Sequence, residues 1–288
     1  MSSSRPTKTS WFSDSKGNLD RHPLVVGGGD SVIEPDPIID LRDVSLKFVS
    51  WHDKQYSLKR ALLDLVLRRQ GPPPSSEFWA LKEVSLRVHK GERVGIVGHN
   101  GAGKSTLLRM LARIYPPTSG RIAIQGKVAP LIEMGAGFNP ELSGFDNILF
   151  NGAMLGLGRK EMIAKAPEIF EFTGLSEFAD LPLKYYSTGM YMRLAFAIAS
   201  EVDAEVLLID ESLGTGDAAF VDKAKARIKG LLDRSNVVVL VSHDMSALRE
   251  LCNRGIWMDH GRVVGDGPID EVIDRYLEAA TAVTSTAA

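Results

Sequence analysis

The order of apolar and polar positions predicts an alternation of strands and helices along most of the chain. Apolar residues recur at strand-like spacing from Ile38 to Val49. Short, mostly apolar runs have the length of strands that are buried on both faces; they lie at 93–97, 206–209 and 237–241. Helical patterns follow the first and second of these runs. This alternation is typical of an α/β fold with a mainly parallel sheet flanked by helices.

The pattern also divides the chain into regions. From about 131 to 200, helical segments are broken by glycine and proline, which we interpret as an α-helical subdomain inserted into the core. Residues 1–37 contain few large apolar residues and predict a disordered N-terminal arm. The main domain is expected to cover 38–279, and a flexible tail of small residues is expected at 280–288.

A basic amphipathic insertion is predicted at 51–77. Its apolar residues recur at helical spacing, basic side chains flank them, and three consecutive prolines at 72–74 end the pattern. Two interpretations remain open. The segment is either an ordinary helix docked on its own domain or a surface that faces a partner at the membrane.

Composition excludes several functions. A net charge of -2 gives no basic footprint, so nucleic acid is not favoured as a partner. The single cysteine, Cys252, allows no internal disulfide and fits a reducing compartment. No apolar run approaches the ~20 residues that span a bilayer, and no secretory signal pattern is visible at the N-terminus. Any membrane role is therefore expected to come through a partner.

One stretch fits the phosphate-binding pattern G-x-x-x-x-G-K-[ST], between a buried strand and an apolar helix. Its glycines let backbone amides approach a polyphosphate, and the helix N-terminus supplies partial positive charge. Lys104 is a point charge for the β- and γ-phosphates, and the hydroxyl of Ser105 is suited to Mg²⁺. The nucleotide-binding residues are Gly98, His99, Asn100, Gly101, Ala102, Gly103, Lys104, Ser105 and Thr106. The motif predicts a P-loop NTPase core, and we expect this core to carry an antiparallel β subdomain as well as the helical insertion.

A pair of carboxylates, Asp210 and Glu211, ends the apolar run at 206–209. In an open parallel sheet the carboxyl ends of the strands face the ligand crevice. Asp210 can hold Mg²⁺ through water, and Glu211 can polarise a water molecule for attack on the γ-phosphate. Taken alone, such a strand end is more often simply solvated. Downstream of a good phosphate loop it predicts a hydrolytic site.

The turn Ser187-Thr188-Gly189-Met190, before an apolar helix, completes a combination that resembles the ATP-binding cassette ATPases. The signature of that family is a short Ser-x-Gly turn, most often Leu-Ser-Gly-Gly-Gln. The chain departs from this form at Tyr186, Thr188 and Met190, but Ser187 and Gly189 remain. The resemblance covers roughly 38–279 and implies that Ser187, Gly189 and Met190 contact nucleotide. Without the phosphate loop, Ser187 would be only a helix N-cap.

Three further positions match the family by resemblance. His243, directly after the run at 237–241, matches the switch histidine that contacts the γ-phosphate. Asp217 lies in a loop that resembles the one crossing the dimer interface. Glu133 lies where the family usually has a glutamine that senses magnesium and the transporter. The adenine base is expected to stack on an aromatic residue near the end of the first strand, either Phe48 or Trp51.

The sequence around Glu133, the signature turn and the early insertion are similar to the branch that exports polysaccharides such as O-antigen and teichoic acid. The resemblance implies an ATPase that uses ATP and Mg²⁺ as a head-to-tail homodimer. It also implies two copies of a separate membrane permease and a lipid-linked glycan handled by the complex. The subunit is expected peripherally at the cytoplasmic face of the cell membrane. No C-terminal carbohydrate-binding domain is expected, since the chain stops soon after the last cassette helix.

There are three alternatives to the ATPase of a polysaccharide exporter. The chain could serve another class of transporter, but the Glu133 context and the insertion argue against that. A soluble cassette protein usually has two cassettes or a long coiled coil, and this chain has neither. A non-enzymatic scaffold is disfavoured because Lys104, Asp210, Glu211 and His243 are all present.

Overall fold

The computed structural model of the protein describes residues 12–13, 36–50, 76–132, 134–210 and 218–286. Its strands form two sheets, one with four strands and one with six. The strands are β1 (Phe12–Ser13), β2 (Ile39–Ser50), β3 (Ser76–Val88), β4 (Arg93–Val97), β5 (Ser119–Ile124), β6 (Val128–Leu131), β7 (Val206–Ile209), β8 (Val237–Val241), β9 (Arg254–Asp259) and β10 (Arg262–Pro268).

The six-stranded sheet is mainly parallel, as the sequence predicted. Its order is β10-β9-β4-β8-β7-β6, and β10 alone runs antiparallel to its neighbour. The strand that leads into the phosphate loop, β4, lies between β8 and β9, with Ile96 opposite Val241 on one side and Ile256 on the other. The carboxyl ends of β4, β7 and β8 therefore lie along one edge of the sheet.

The four-stranded sheet has the order β1-β5-β2-β3, and β2 runs antiparallel to both β3 and β5. This confirms the expected antiparallel β subdomain. Strand β3 is continuous, although its apolar residues fall into two short runs, at 78–81 and 84–88. Glu83 has a positive φ of 51° and its amide donates to Ser45 Oγ at 2.9 Å, so an irregularity interrupts the side-chain alternation without ending the strand.

The helices lie before, within and after the predicted helical subdomain. They are α1 (Lys104–Leu111), α2 (Gly144–Met154), α3 (Arg159–Thr173), α4 (Thr188–Ala199), α5 (Ala218–Arg234), α6 (Met245–Leu251) and α7 (Ile269–Thr286), with short 3-10 turns at Ser176–Phe178 and Leu183–Tyr185. The predicted helical insertion corresponds to α2, α3, α4 and the two turns.

Three boundaries differ from those predicted. Helix α7 continues past Ala279 into the stretch expected to be a flexible tail, because 280–286 contains no glycine or proline to end it. Within the expected disordered arm, Phe12 and Ser13 pair in parallel with β5. The predicted insertion at 51–77 overlaps β3, which begins at Ser76, and its remainder at 51–75 lies outside the described residues.

The core has two large clusters, and β4 contributes to both. Val94 and Ile96 pack with buried residues of α1 and the antiparallel sheet. Val97 packs on the opposite side, with the helical subdomain and α7. A Cβ added to Gly95 would lie 2.9 Å from Ile269 Cδ1, so this position admits no larger residue without movement. Helices α1–α7 of the described chain include none long and apolar enough to cross a membrane.

Candidate functional site

The phosphate loop joins β4 directly to α1 through residues 98–103. Gly98 and Gly103 have φ values of 147° and 105°, in the region that favours glycine. A Cβ would lie 2.3 Å from Met258 O at Gly98 and 2.8 Å from Ala80 O at Gly103. Both glycines of the motif are therefore required by the fold of the loop itself, before any ligand is considered.

Lys104, the first residue of α1, turns its side chain back into this loop. Its Nζ atom donates to Gly98 O at 2.6 Å and to His99 O at 3.0 Å, and the residue is only 6% exposed. A buried ammonium held by neutral carbonyls would bind anionic phosphate oxygens more strongly. The loop thus positions a cation at the N-terminus of a helix, where phosphate is already favoured.

A cleft of about 230 Å³ opens beside the loop. Its walls bring the phosphate loop together with the ends of the two neighbouring strands β7 and β8. The lining residues are Phe78, Ala80, Asn100, Gly101, Gly103, Lys104, Ser105, Thr106, Asp210, Val241 and His243. The structure therefore places six of the nine motif residues, and also Asp210 and His243, around one space.

The two polar residues opposite the loop are positioned by their strands. Asp210 follows β7, and its amide donates to Leu131 O at 3.3 Å. His243 follows β8 and is exposed toward the cleft. The next residue, Asp244, caps α6 by accepting from the amides of Ser246 and Ala247 at 2.9 and 3.1 Å. This cap fixes the backbone that carries His243.

Four predicted site residues lie outside the described residues: Trp51, Glu133, Glu211 and Asp217. Of the remaining motif residues, Gly98 supplies a carbonyl to Lys104, and Ala102 is fully buried. His99 supplies its carbonyl to Lys104, but its ring does not line the cleft. The ring instead contacts Asp259, at the end of β9.

The signature turn lies apart from the cleft of its own chain. Ser187 and Gly189 are exposed, and neither lines the cleft. Ser187 Oγ accepts from the amide of Met190 at 3.2 Å and thereby caps α4. The turn is consequently a capped helix N-terminus that faces solvent, a place where anionic groups are stabilised.

Of the two aromatic residues expected to stack on adenine, Trp51 lies outside the described residues and Phe48 does not border the cleft. Phe48 packs edge-on against Tyr115, with 5.4 Å between the ring centroids, and it does not line the cleft. Phe78 lies directly opposite Phe48 in the β2–β3 pairing, is 61% exposed and does line the cleft. The sequence analysis did not identify Phe78. A usable signal was present, because two adjacent aromatic residues, Phe78 and Trp79, lie in the strand that precedes β4 and the phosphate loop.

A second polar group lies on the other side of the loop. Asp259 Oδ1 is 2.9 Å from both His99 Nε2 and His260 Nδ1. The pKa of Asp259 is lowered, chiefly by its hydrogen bond with His260. The electrostatic interaction with His260, and the hydrogen bond and electrostatic interaction with His99, lower it further by smaller amounts. These side chains do not line the cleft, so they form a separate group that shares one residue with the loop.

Comparisons with known proteins agree with this geometry. Residues 81–214 match the ABC transporter family. The chain is 37% identical over 250 residues to an O-antigen export system ATP-binding protein, RfbB, of Klebsiella pneumoniae, covering 84% of this chain and 98% of the relative. It is 42% identical over 223 residues to a Myxococcus xanthus protein of the same name, covering 77% of this chain but only 51% of the relative's length.

Solved structures show the same fold. A dimeric ATP-binding cassette in a post-hydrolysis state with ADP and phosphate superposes with a TM-score of 0.60 at 21% identity. The superposition covers 80% of this chain and 98% of that structure. At this identity the likeness concerns the fold alone, and it confirms the predicted cassette-type α/β architecture.

Proposed function

The chain belongs to the ABC transporter family, and we propose that it is the ATP-hydrolysing subunit of an exporter of lipid-linked polysaccharide. The observation that carries the proposal is the single cleft in which Lys104, Ser105, Asp210 and His243 meet. This arrangement supplies a cation, a hydroxyl, a carboxylate and an imidazole where the terminal phosphates of a nucleoside triphosphate would bind.

Mg²⁺ fits the oxygen donors of this cleft. The hydroxyl of Ser105 and the carboxylate of Asp210 both line it, and hard oxygen donors of this kind suit Mg²⁺. When bound, the ion would neutralise charge on the β- and γ-phosphate oxygens. The cleft residues Ser105 and Asp210 would hold it, and Glu133 remains a proposed contributor from outside the described residues.

In the proposed reaction, water attacks the γ-phosphorus and the bond to the β-phosphate oxygen breaks, giving ADP and phosphate. Glu211, next in sequence to Asp210, takes the proton from the attacking water. Lys104 moves from the two loop carbonyls to the phosphate oxygens, and His243 contacts the γ-phosphate from the β8 side.

A second copy of the chain completes the site in this proposal. Ser187 and Gly189 are exposed and do not line the cleft of their own chain, while the capped N-terminus of α4 favours an anionic ligand. A head-to-tail homodimer would place this turn, with Met190, against the nucleotide of the partner copy. Asp217 would lie at the same interface.

The membrane partner is proposed to dock on the helical subdomain. Phe150 and Met154 of α2 are 50% and 62% exposed, and their spacing of four residues places both on one side of the helix. The loop beside them is held by the buried Asn147, whose Nδ2 atom donates to the carbonyls of Asn139, Leu142 and Ser143. A rigid loop next to exposed apolar side chains suits a permease segment, with two permease copies in the complex.

This assembly would bring the chain to the cytoplasmic face of the membrane as a peripheral subunit. The polysaccharide assignment rests on the RfbB relatives, whose name is O-antigen export system ATP-binding protein. O-antigen, teichoic acid and galactan-like glycans share one requirement, a long hydrophilic chain carried on a lipid. The energy of ATP-driven dimer closure would be transmitted to the permease through the α2 surface.

The test is ATP hydrolysis by the wild type and by Glu211→Gln, each alone and with the membrane protein that co-purifies with it. Loss of a general base is expected to lower kcat by about 100-fold or more, while MgATP still binds. Glu250→Gln, an exposed glutamate on α6, serves as the control and should hydrolyse normally. Equal rates for Glu211→Gln and wild type would overturn the mechanism, and a co-purified importer or drug permease would overturn the polysaccharide assignment.

A further inference from the structure

A cluster of metal-ligating side chains lies behind the phosphate loop, apart from the proposed Mg²⁺ site. His99 comes from the loop, Asp259 ends β9, and His260 begins the turn to β10. One ligand atom from each of the three lies within 4.8 Å of the other two. The two imidazole rings are 4.9 Å apart between centroids. The set therefore offers two nitrogens and one carboxylate oxygen to a common point.

The hydrogen bonds of His99 determine which of its ring nitrogens faces this point. His99 Nδ1 lies 2.7 Å from Asn100 O, a contact that requires the proton of a neutral ring to be on Nδ1. Nε2 then presents a lone pair to Asp259 Oδ1 at 2.9 Å, and two acceptors at this distance repel each other. A metal ion bound by both atoms would remove this repulsion.

The same contact is the one that orients histidines in metal sites. A ligating histidine usually donates its other ring N–H to a carbonyl or carboxylate, which fixes the tautomer and aims the free nitrogen at the metal. Asn100 O provides this acceptor for His99. Asp259 Oδ1 lies 2.9 Å from His260 Nδ1 as well, so this one carboxylate oxygen faces a ring nitrogen of each histidine.

The backbone holds both halves of the cluster together. The Gly261 amide donates to Ala102 O at 2.9 Å, and the Lys82 amide donates to Gly261 O at 2.8 Å. The β9–β10 turn is thus attached to both the phosphate loop and β3. His260 adopts a positive φ of 45°, which places its ring beside that of His99.

We propose that His99, Asp259 and His260 bind a borderline divalent transition metal, such as Zn²⁺, Co²⁺ or Ni²⁺. Two imidazole nitrogens and one carboxylate oxygen are the donors that these ions prefer, whereas Mg²⁺ prefers oxygen alone. His99, Asp259 and His260 are 44%, 41% and 77% exposed, so water can fill the remaining coordination position. The bound ion ties the phosphate loop to the β9–β10 turn.

The test is a titration of the metal-free, tag-free full-length chain without nucleotide. Zn²⁺ binding is measured by calorimetry, and Co²⁺ binding is measured by its visible ligand-field absorption. The variants are His260→Asn and Asp259→Asn. Asparagine tolerates the positive φ at position 260 and has the shape of the aspartate at 259, so both variants should fold. His89→Asn removes an imidazole outside the cluster and is the control.

The wild type and His89→Asn should bind one equivalent, with an increase in Tm on adding Zn²⁺. Either ligand variant should bind about 10-fold more weakly or worse. Excess Mg²⁺ should not displace the ion. The proposal fails if the wild type shows no saturable binding, or if His260→Asn and Asp259→Asn both titrate as the wild type does.

Discussion

Phe48 and Phe78 lie opposite each other across β2 and β3, yet of the two only Phe78 borders the cleft. Phe48 is 39% exposed and packs edge-on against Tyr115, with 5.4 Å between the ring centroids. Phe78 is 61% exposed and lies beside the phosphate loop residues. Of these two residues, we therefore expect Phe78 to be the one available to a flat base.

Replacing Phe78 should weaken nucleotide binding. Stacking of a base on an aromatic ring contributes about 1–3 kcal/mol by alanine substitution, so Phe78→Ala should raise the Kd for MgATP by about 10-fold. Phe78→Tyr should retain the affinity. Calorimetry with MgATP measures the effect, and Phe48→Ala is the matched control. If Phe48→Ala weakened ATP binding and Phe78→Ala did not, Phe48 would be the stacking residue, which is one of the two that the sequence predicts.

Ser187 combines a capping role with a proposed role in the dimer, and the two can be separated. Aspartate caps a helix about as well as serine, so Ser187→Asp should leave Tm close to the wild type. The added carboxylate would repel the phosphates of the partner copy, so ATP-dependent dimerisation should be lost. Light scattering in a Glu211→Gln background measures this. Normal dimerisation of Ser187→Asp would mean that the α4 turn does not meet nucleotide.

Glu201 should contribute substantially to stability, because it joins two helices from the end of α4. Its side chain is 7% exposed and lies 2.8 Å from Lys165 of α3, and it is also paired with Arg227 of α5. Glu201→Gln should lower the free energy of unfolding by about 1–3 kcal/mol, less than for a fully buried pair because both cations remain partly in solvent. Urea unfolding measures the change.

The control for the Glu201→Gln variant is Glu168→Gln. Glu168 is 69% exposed, and its carboxylate lies 3.7 Å from Arg227, which is a long contact for an ion pair. Glu168→Gln should therefore lower the free energy of unfolding by less than about 0.5 kcal/mol. Similar losses for the two variants would show that burial of Glu201 has no special effect on stability.

Cys252 gives a prediction about pH. Burial raises the pKa of its thiol to about 12 from a usual value of 9.0. The thiol form is therefore favoured in the folded state, and the resulting stability is complete below about pH 9 and declines as the pH rises toward 12. Unfolding of wild type and Cys252→Ala should show a stability difference that shrinks over this range. A constant difference would contradict the raised pKa.

A faster check uses a thiol reagent at neutral pH. Cys252 is buried and should react slowly in the folded protein and rapidly in denaturant, because the reacting thiolate is both rare and shielded. Rapid modification of the folded chain would show that this part of the core opens readily.

Much of the site could be predicted from sequence because its residues follow strands directly. Asp210 and His243 come one and two residues after buried apolar runs, Lys104 follows another run through the phosphate loop, and parallel strands bring such ends to one edge. Local sequence is sufficient for that inference. The order β4-β8-β7 required the structure, but the shared edge did not.

The aromatic platform could not be predicted in this way. Phe48 and Phe78 are paired although residues 51–75 separate their strands in sequence. The register of such an antiparallel pair depends on contacts across the sheet. The Glu201 pairs are similar. Lys165, Glu201 and Arg227 are far apart in sequence, and no local pattern distinguishes a buried glutamate from a solvated one. The end of α7 also differed, because the small residues at 280–286 gave no apolar pattern to follow.

The position of β4 has a consequence for how the protein can move. Since Val94 and Ile96 belong to one core cluster and Val97 to the other, the strand cannot slide without disrupting both. Its amides should be among the last to exchange with deuterium, whether or not nucleotide is present. The start of the phosphate loop is therefore held in place by β4. Any rearrangement between turnovers has to take place in the segments around it.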